Sequence, residues 1–215
     1  MKPIISPSLL AAKSDNLGNA VSLVERAGAQ YLHIDIMDGH FVPNLSFGPH
    51  IVDGIRNVSK LYFDVHLMIE HPEKYALPFI KAGADCITVH PESSGDIKSV
   101  INICKDNGVG FGMAIKPKTP VDKFKHYYND CEILLIMSIE PGFGGQKFMP
   151  DAVGWIAEAK QLRDELGAAY KISVDGGINV ETAKLCIGAG VNILVAGTAL
   201  FNSNDPKGFI DQLIG

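Results

Sequence analysis

The stretch Tyr31-Leu32-His33-Ile34-Asp35-Ile36-Met37-Asp38-Gly39 alternates in the way a β-strand requires. Strand side chains repeat every two residues, so Leu32, Ile34 and Ile36 share one face and His33, Asp35 and Met37 share the other. The apolar face suits packing against helices. The opposite face carries an imidazole, a carboxylate and a thioether, which the branched aliphatic filling of a sheet core does not explain. The same device returns in Asp64-Val65-His66-Leu67-Met68, and strand-length runs recur along the chain. Strands are expected at Pro3–Ser8, Tyr31–Ile36, Leu61–Met68, Cys86–His90, Gly110–Ile115, Ile133–Ser138, Lys171–Val174 and Ile193–Ala196. Helix-like stretches lie between them, among them Asp15–Ala27, Pro72–Lys81, Ile97–Asn107, Asp151–Leu166 and Val180–Gly188. Strands alternating with helices give a parallel sheet covered by helices.

A weak internal repeat fixes the count. Ala27-Gly28-Ala29, Ala82-Gly83-Ala84 and Ala189-Gly190-Val191 precede the second, fourth and eighth strands, and a glycine just past a helix end adopts the left-handed conformation that stops it. These glycines are two and four units of about 27 residues apart, and a chain of 215 residues holds eight such units. Eight units close a barrel, whereas open doubly wound sheets usually stop at five or six strands. The expectation is one α/β domain over residues 1–215, a (β/α)8 TIM barrel, with its chemistry where strands end and loops begin.

Composition narrows the function. A chain of this length buries enough surface to fold without disulfide or metal. Hydrophobic residues make up 47% and charged residues 20%, an ordinary globular balance. The longest apolar runs, such as Ile133–Met137, are too short to cross a membrane, and the start of the chain is broken by Pro3 and Pro7 where a signal peptide needs an apolar core. A cytoplasmic location and no membrane partner are expected. Cys86, Cys104, Cys131 and Cys186 form no C-x-x-C pair and read as buried thiols. The formal net charge of −5 argues against a nucleic-acid surface. Any attraction for a phosphate ester must therefore be local.

The strand ends supply that local chemistry. His33, Asp35, His66 and Asp175 converge from three strands and make an N2O2 donor set for one divalent metal ion; zinc, iron, manganese and cobalt all accept it. Met37, Met68 and Met137 fall beside them as polarizable pocket walls, thioether sulfur being too soft to compete for such metals. His90 ends the fourth strand, where a role supporting the site is one reading and a structural role the preferred one; His40, His50, His71 and His126 have no comparable placement. Three glycine-rich loops follow neighbouring strands: Pro141-Gly142-Phe143-Gly144-Gly145-Gln146, Gly176-Gly177 and Gly197-Thr198. Their backbone N–H groups can turn toward an anion unobstructed by Cβ atoms, and phosphate sites in such barrels frequently follow strands seven and eight.

Over essentially its full length the chain resembles the ribulose-phosphate 3-epimerase family. The resemblance rests on Ser6–Leu10, His33–Asn44, Asp64–Met68, Met137–Phe148, Val174–Gly177 and Ala196–Thr198. It implies a ribulose-phosphate-binding barrel with His33, Asp35, His66 and Asp175 as metal ligands and with Asp35 and Asp175 as the acid/base pair. Ser8 and His66 would contact substrate; Gly142, Phe143, Gly144, Gly145, Asp175, Gly176, Gly177, Gly197 and Thr198 would form the substrate and phosphate cradle. The reaction implied is C3 epimerisation of D-ribulose 5-phosphate to D-xylulose 5-phosphate in the pentose phosphate pathway. Self-association through the outer helices is expected. Pro91 in His90-Pro91-Glu92 resembles the allulose-6-phosphate branch, which keeps a hexulose phosphate as the alternative substrate. Thr198 stands where serine is common and keeps the hydroxyl. An orotidylate-type decarboxylase needs a lysine where Met37 stands. A Schiff-base aldolase has only Lys116, beside Pro117, as its lysine, and a non-catalytic sugar-phosphate sensor needs no such set of carboxylates and imidazoles.

Overall fold

All eight expected strands form in the computed structural model, which describes residues 2–215; Met1, at the start of the expected barrel, lies outside the described residues. They are β1 (Ile4–Pro7), β2 (Tyr31–Met37), β3 (Tyr62–Met68), β4 (Cys86–Val89), β5 (Gly110–Ile115), β6 (Ile133–Met137), β7 (Lys171–Asp175) and β8 (Ile193–Ala196). Every pairing is parallel, and the hydrogen-bonded order runs β1-β8-β7-β6-β5-β4-β3-β2. The seam between β1 and β2 is closed by a parallel bridge between Ser8 and His33. Gln30 supports the same seam: its Oε1 accepts from the Ile5 N–H at 2.9 Å and its own N–H donates to the Ile5 carbonyl at 3.2 Å. The fold is a (β/α)8 barrel.

Helices α1 (Leu17–Arg26), α2 (Pro49–Arg56), α3 (Ala76–Lys81), α4 (Ile97–Asn107), α5 (Ala152–Leu166), α6 (Val180–Ala189), α7 (Thr198–Phe201) and α8 (Pro206–Ile214) surround the sheet. Outward-facing strand residues such as Ile34, Val65, Ile87, Leu134 and Val174 join buried helix residues such as Val21, Phe79, Val100 and Ile156 in one continuous core. The barrel interior holds smaller apolar groups, one of them Cys86, Ile133 and Ile193. The repeat glycines Gly28, Gly83 and Gly190 have φ of 105°, 103° and 108°, the left-handed backbone their spacing implied. All four cysteines are buried and free.

Three connections depart from the expectation. Asn16 leaves helical backbone (φ −149°, ψ 44°), so the α-helix expected over Asp15–Ala27 starts at Leu17, after a 3-10 turn at Ser14–Asn16. The stretch Pro72–Lys81 divides into a 3-10 turn at Pro72–Lys74 and α3. Pro78 has no N–H to give a preceding turn, which confines it to the start of a helix. Between β5 and β6 no α-helix forms; Val121–Asp130 is 3-10, with non-helical backbone at Phe124. Among the described residues no helix is long and apolar enough to cross a membrane.

Candidate active site

Strand alternation puts His33, Asp35 and Met37 of β2 inside the barrel, and the β2–β3 register sets His33 beside Asp64 and Asp35 beside His66. At the mouth, His33 Nε2, His66 Nδ1 and Asp35 Oδ1 lie 3.1–3.2 Å from one another. Asp175 Oδ2, from the end of β7, lies 4.0 Å from His33 Nε2. One donor atom from each of the four residues falls within 4.8 Å of all the others.

The supporting contacts aim these atoms. Asp64 Oδ2 sits 3.0 Å from His33 Nδ1 and can accept a proton from it, which directs Nε2 toward the cluster. Asp64 is itself held by the Thr88 hydroxyl at 2.5 Å. Thr88 has room because Gly112 stands opposite it, where a Cβ would lie only 2.1 Å from the Thr88 oxygen. The Ser8 hydroxyl donates to Asp35 Oδ2 at 2.8 Å, so the two Asp35 oxygens have separate partners. The Ser46 hydroxyl donates to the Asp35 carbonyl at 2.6 Å and accepts from the Met37 N–H at 3.0 Å, pinning the end of β2.

Burial would raise the pKa of both carboxylates, but the neighbours pull them apart. Burial opposes ionisation of Asp35, yet His33 and His66 outweigh it and hold the carboxyl well below its ordinary range. Asp175 is pushed up to about 7 by burial and then by the charge of Asp35. Burial disfavours a charged His33, but Asp35 and Asp64 overcome this and raise its pKa; burial lowers that of His66. Carboxyl groups driven apart in this way are suited to opposite proton-transfer roles.

A divalent cation fits this donor set. Ligands about 2.0–2.2 Å from a tetrahedral metal stand roughly 3.3–3.6 Å apart, close to the separations of the two imidazole nitrogens and Asp35 Oδ1. The charge of a dication offsets the two carboxylates, and the Asp64–His33 pair is the carboxylate–histidine arrangement that orients metal-bound imidazoles.

Above the cluster opens a pocket of about 540 Å³. Asp35 and Asp175 reach it, Ser8 borders it, and Met37, Met68 and Met137 wall it. Gly142, Phe143, Gly144, Gly145, Gly176, Gly177, Gly197 and Thr198 line the remainder, so the three glycine loops do meet. Gly177 has φ +62°, and a Cβ there would lie 2.4 Å from the Phe148 nitrogen; the chain passes so closely that only glycine serves. Ser138 Oγ lies 2.8 Å from the Asp175 carbonyl and 2.7 Å from that of Gly176, tying the base of this loop to β6.

His66 is fully buried and does not line the pocket, and its Nδ1 belongs to the donor cluster. His90 stands in the same polar chain, with its Nε2 2.9 Å from His66 Nε2. Sequence reasoning missed Asp64, Thr88, Ser46 and Ser138. Asp64 gave a signal, a second inward carboxylate two residues before His66; the hydroxyls gave none. Lys116 Nζ lies 3.8 Å from the centre of the Phe41 ring, so the amine considered for a Schiff base sits on an aromatic face.

The profile of the ribulose-phosphate 3 epimerase family matches residues 4–201. The chain is 46% identical over 212 residues to the ribulose-phosphate 3-epimerase of Bacillus subtilis (strain 168), covering 98% of each. It is 43% identical to the Arabidopsis thaliana chloroplastic ribulose-5-phosphate-3-epimerase, covering 94% of this chain and 73% of that protein. Among solved structures, the 3-hexulose-6-phosphate synthase of Salmonella typhimurium superposes with a TM-score of 0.73 at 17% identity, covering 99% of this chain and 96% of that one. KGPDC from Streptococcus mutans gives the same TM-score at 14% identity, again over 99% and 96%. At those identities the likeness is one of fold.

Proposed function

This chain belongs to the ribulose-phosphate 3-epimerase family, and from that premise we propose how its residues act as an isomerase on D-ribulose 5-phosphate. The reaction interconverts D-ribulose 5-phosphate and D-xylulose 5-phosphate. One observation carries the assignment of roles: two carboxylates from separate strands meet two imidazole nitrogens beside a pocket whose other wall is glycine backbone. His33, Asp35, His66 and Asp175 would hold one divalent cation per chain, from among zinc, iron, manganese and cobalt. When bound, it supplies electrostatic stabilisation of the negative charge that develops on the sugar oxygens as the C3 proton leaves.

The chain's own groups do the rest. The C3 hydrogen is acidic because the C2 carbonyl lies beside it, and its removal gives an enediolate. One of Asp35 and Asp175 takes that proton, and the other returns a proton to the opposite face, inverting the centre. A single carboxylate on one face could not do both. Ser8, donating to Asp35 Oδ2, holds that carboxylate in place. Gly142–Gly145, Gly176, Gly177, Gly197 and Thr198 would receive the phosphate through backbone N–H groups, so an acidic protein needs no basic patch to bind an anion. Met37, Met68 and Met137 form an apolar wall around the charged intermediate. The reading includes one functional domain over residues 1–215, a cytoplasmic location, self-association through the outer helices, and neither nucleic acid nor membrane as partner.

The test is a coupled epimerase assay run in D2O. Deuterium is expected at C3 of the product, because the returning proton comes from an acid that has exchanged with solvent. Retention of the original hydrogen from protiated substrate would overturn the two-carboxylate path.

A further inference from the structure

A second polar chain runs from the cluster through His90 and Glu92, which do not line the pocket and which the reaction above does not use. His66 Nε2 lies 2.9 Å from His90 Nε2, and His90 Nδ1 lies 3.5 Å from Glu92 Oε2. His66 and His90 are completely buried. His90 Nδ1 and Glu92 Oε2 are both buried and have no hydrogen-bond partner, so each faces the other and nothing else. The second Glu92 oxygen accepts from the Lys116 N–H at 3.1 Å, which fixes the carboxylate. Phe41 packs against His90, with ring centroids 4.9 Å apart, and Lys116 Nζ lies 3.8 Å from the Phe41 centroid.

We infer that Glu92 and His90 are positioning residues that set the tautomer of His66 and so keep its Nδ1 bare toward the donor cluster. This inference rests on reading the cluster as a metal site. Two imidazole nitrogens 2.9 Å apart share one proton, which sits on one ring or the other. If it sits on His90 Nε2, a neutral His66 carries its own proton on Nδ1, where it points at Asp35 Oδ1 3.1 Å away and blocks ligation. If it sits on His66 Nε2, Nδ1 is a lone pair and His90 must carry its proton on Nδ1. Asp35 rewards the first arrangement while no cation is bound; Glu92 opposes it, because a carboxylate can only accept and rewards the proton on His90 Nδ1, and so lowers the cost of baring His66 Nδ1 to a cation. His33 reaches the same state in one step through Asp64; His66 needs two. Partners of this kind typically contribute 10–100-fold to metal affinity.

The experiment compares the wild type with Glu92→Gln, His90→Gln and His90→Phe. Ring-nitrogen NMR on metal-stripped, 15N-histidine-labelled protein reads the tautomer, and competition against a chromophoric chelator reads zinc affinity. In the wild type the Nε2-protonated form of His66 is expected to be more populated than in Glu92→Gln. Glu92→Gln can donate to His90 as readily as accept, and is expected to move proton density to His66 Nδ1 and weaken zinc binding by about 10–100-fold. His90→Phe should do the same, whereas the side-chain carbonyl of His90→Gln can accept from His66 and should restore most of the affinity. Unfolding midpoints in chelator check that each variant folds; should His90→Phe not fold, Glu92→Gln and His90→Gln decide the matter. Wild-type affinity and an unchanged His66 tautomer in Glu92→Gln would overturn the inference. A wild type that binds no zinc would overturn the metal reading instead, and the NMR pattern would still report on the tautomer.

Discussion

The two sides of the barrel mouth build their chemistry from different material. On the β2–β4 side, the proposed function rests on side chains held by other side chains: His33 by Asp64, Asp64 by Thr88, Asp35 by Ser8, and His66 against His90. These residues are at most 7% exposed, which is why each polar atom needs a named partner. On the β6–β8 side, it rests on the backbone of glycine loops, and Gly144, Gly145 and Phe143 are exposed. The first side can place charge and protons, which backbone cannot carry. The second can follow the shape of a phosphate, which a rigid set of buried charges cannot do. Substitution should therefore damage the two sides in different ways.

The largest effect expected is loss of activity on metal removal, since without the cation the three donors of the side-chain side and Asp175 of β7 leave two carboxylates without their counter-charge. Assays before and after exhaustive chelation, with metal content measured, check this; full activity in metal-free protein would break the proposed division. Next in size, Asp35→Asn and Asp175→Asn should each lower kcat by about 10³-fold or more, because each removes a donor and a proton carrier together. The double variant should be little worse than either single one, as for residues acting as a unit. Losses that add in the logarithm would mean that the two carboxylates work independently.

The backbone side should respond through binding. Gly177→Ala puts a side chain on left-handed backbone beside the Phe148 nitrogen, a strain of about 1–3 kcal/mol. A KM rise of about tenfold is expected, equivalent to about 1.4 kcal/mol, with kcat and metal content less affected. Gly144 has no neighbour within 4 Å of a built Cβ and no left-handed φ, so Gly144→Ala should leave the unfolding midpoint unchanged. Equal destabilisation by both would show that flexibility, and not close approach, is what the loop needs from glycine.

The same contrast explains what could be read without coordinates. No strand end differs from expectation by more than one residue, because period-two alternation and β-branched runs are local properties of the chain. The 3-10 stretch Val121–Asp130 was illegible, since its lysines, tyrosines and aspartates form no apolar stripe. Within the site, His33, Asp35, His66 and Asp175 stood out as polar residues on faces that should be apolar. The role of Thr88 was hidden because it depends on register between strands, and the sequence left His90 between a supporting and a structural reading. Thr88 reaches Asp64 only because β4 sets it opposite His66 and Gly112 leaves it space. Glycine loops announced an anion, but Ser138, which anchors one of them, looks like any strand-end serine.

The smallest effect concerns substrate length, and it tests whether the two sides are rigidly joined. Asp175, a proposed proton carrier, and Gly177, a proposed phosphate donor, are two residues apart in one segment, with Ser138 hydrogen-bonded to the carbonyls of Asp175 and Gly176. Two residues span at most about 7 Å, so the distance from the acid/base group to the phosphate cradle cannot stretch to suit the ligand. A ketose phosphate one carbon longer must bulge between the fixed ends or lose contact at one of them. Either way the strain falls on the transition state, where C3 has to meet both carboxylates. Discrimination by a single such unit is typically about 10–200-fold, so kcat/KM for D-ribulose 5-phosphate should exceed that for D-allulose 6-phosphate by at least about tenfold. Parallel assays at matched metal occupancy measure the ratio. Equal or reversed values would mean that the Phe143–Gly145 loop shifts the cradle to fit its ligand, and would make the hexulose phosphate suggested by Pro91 the better assignment.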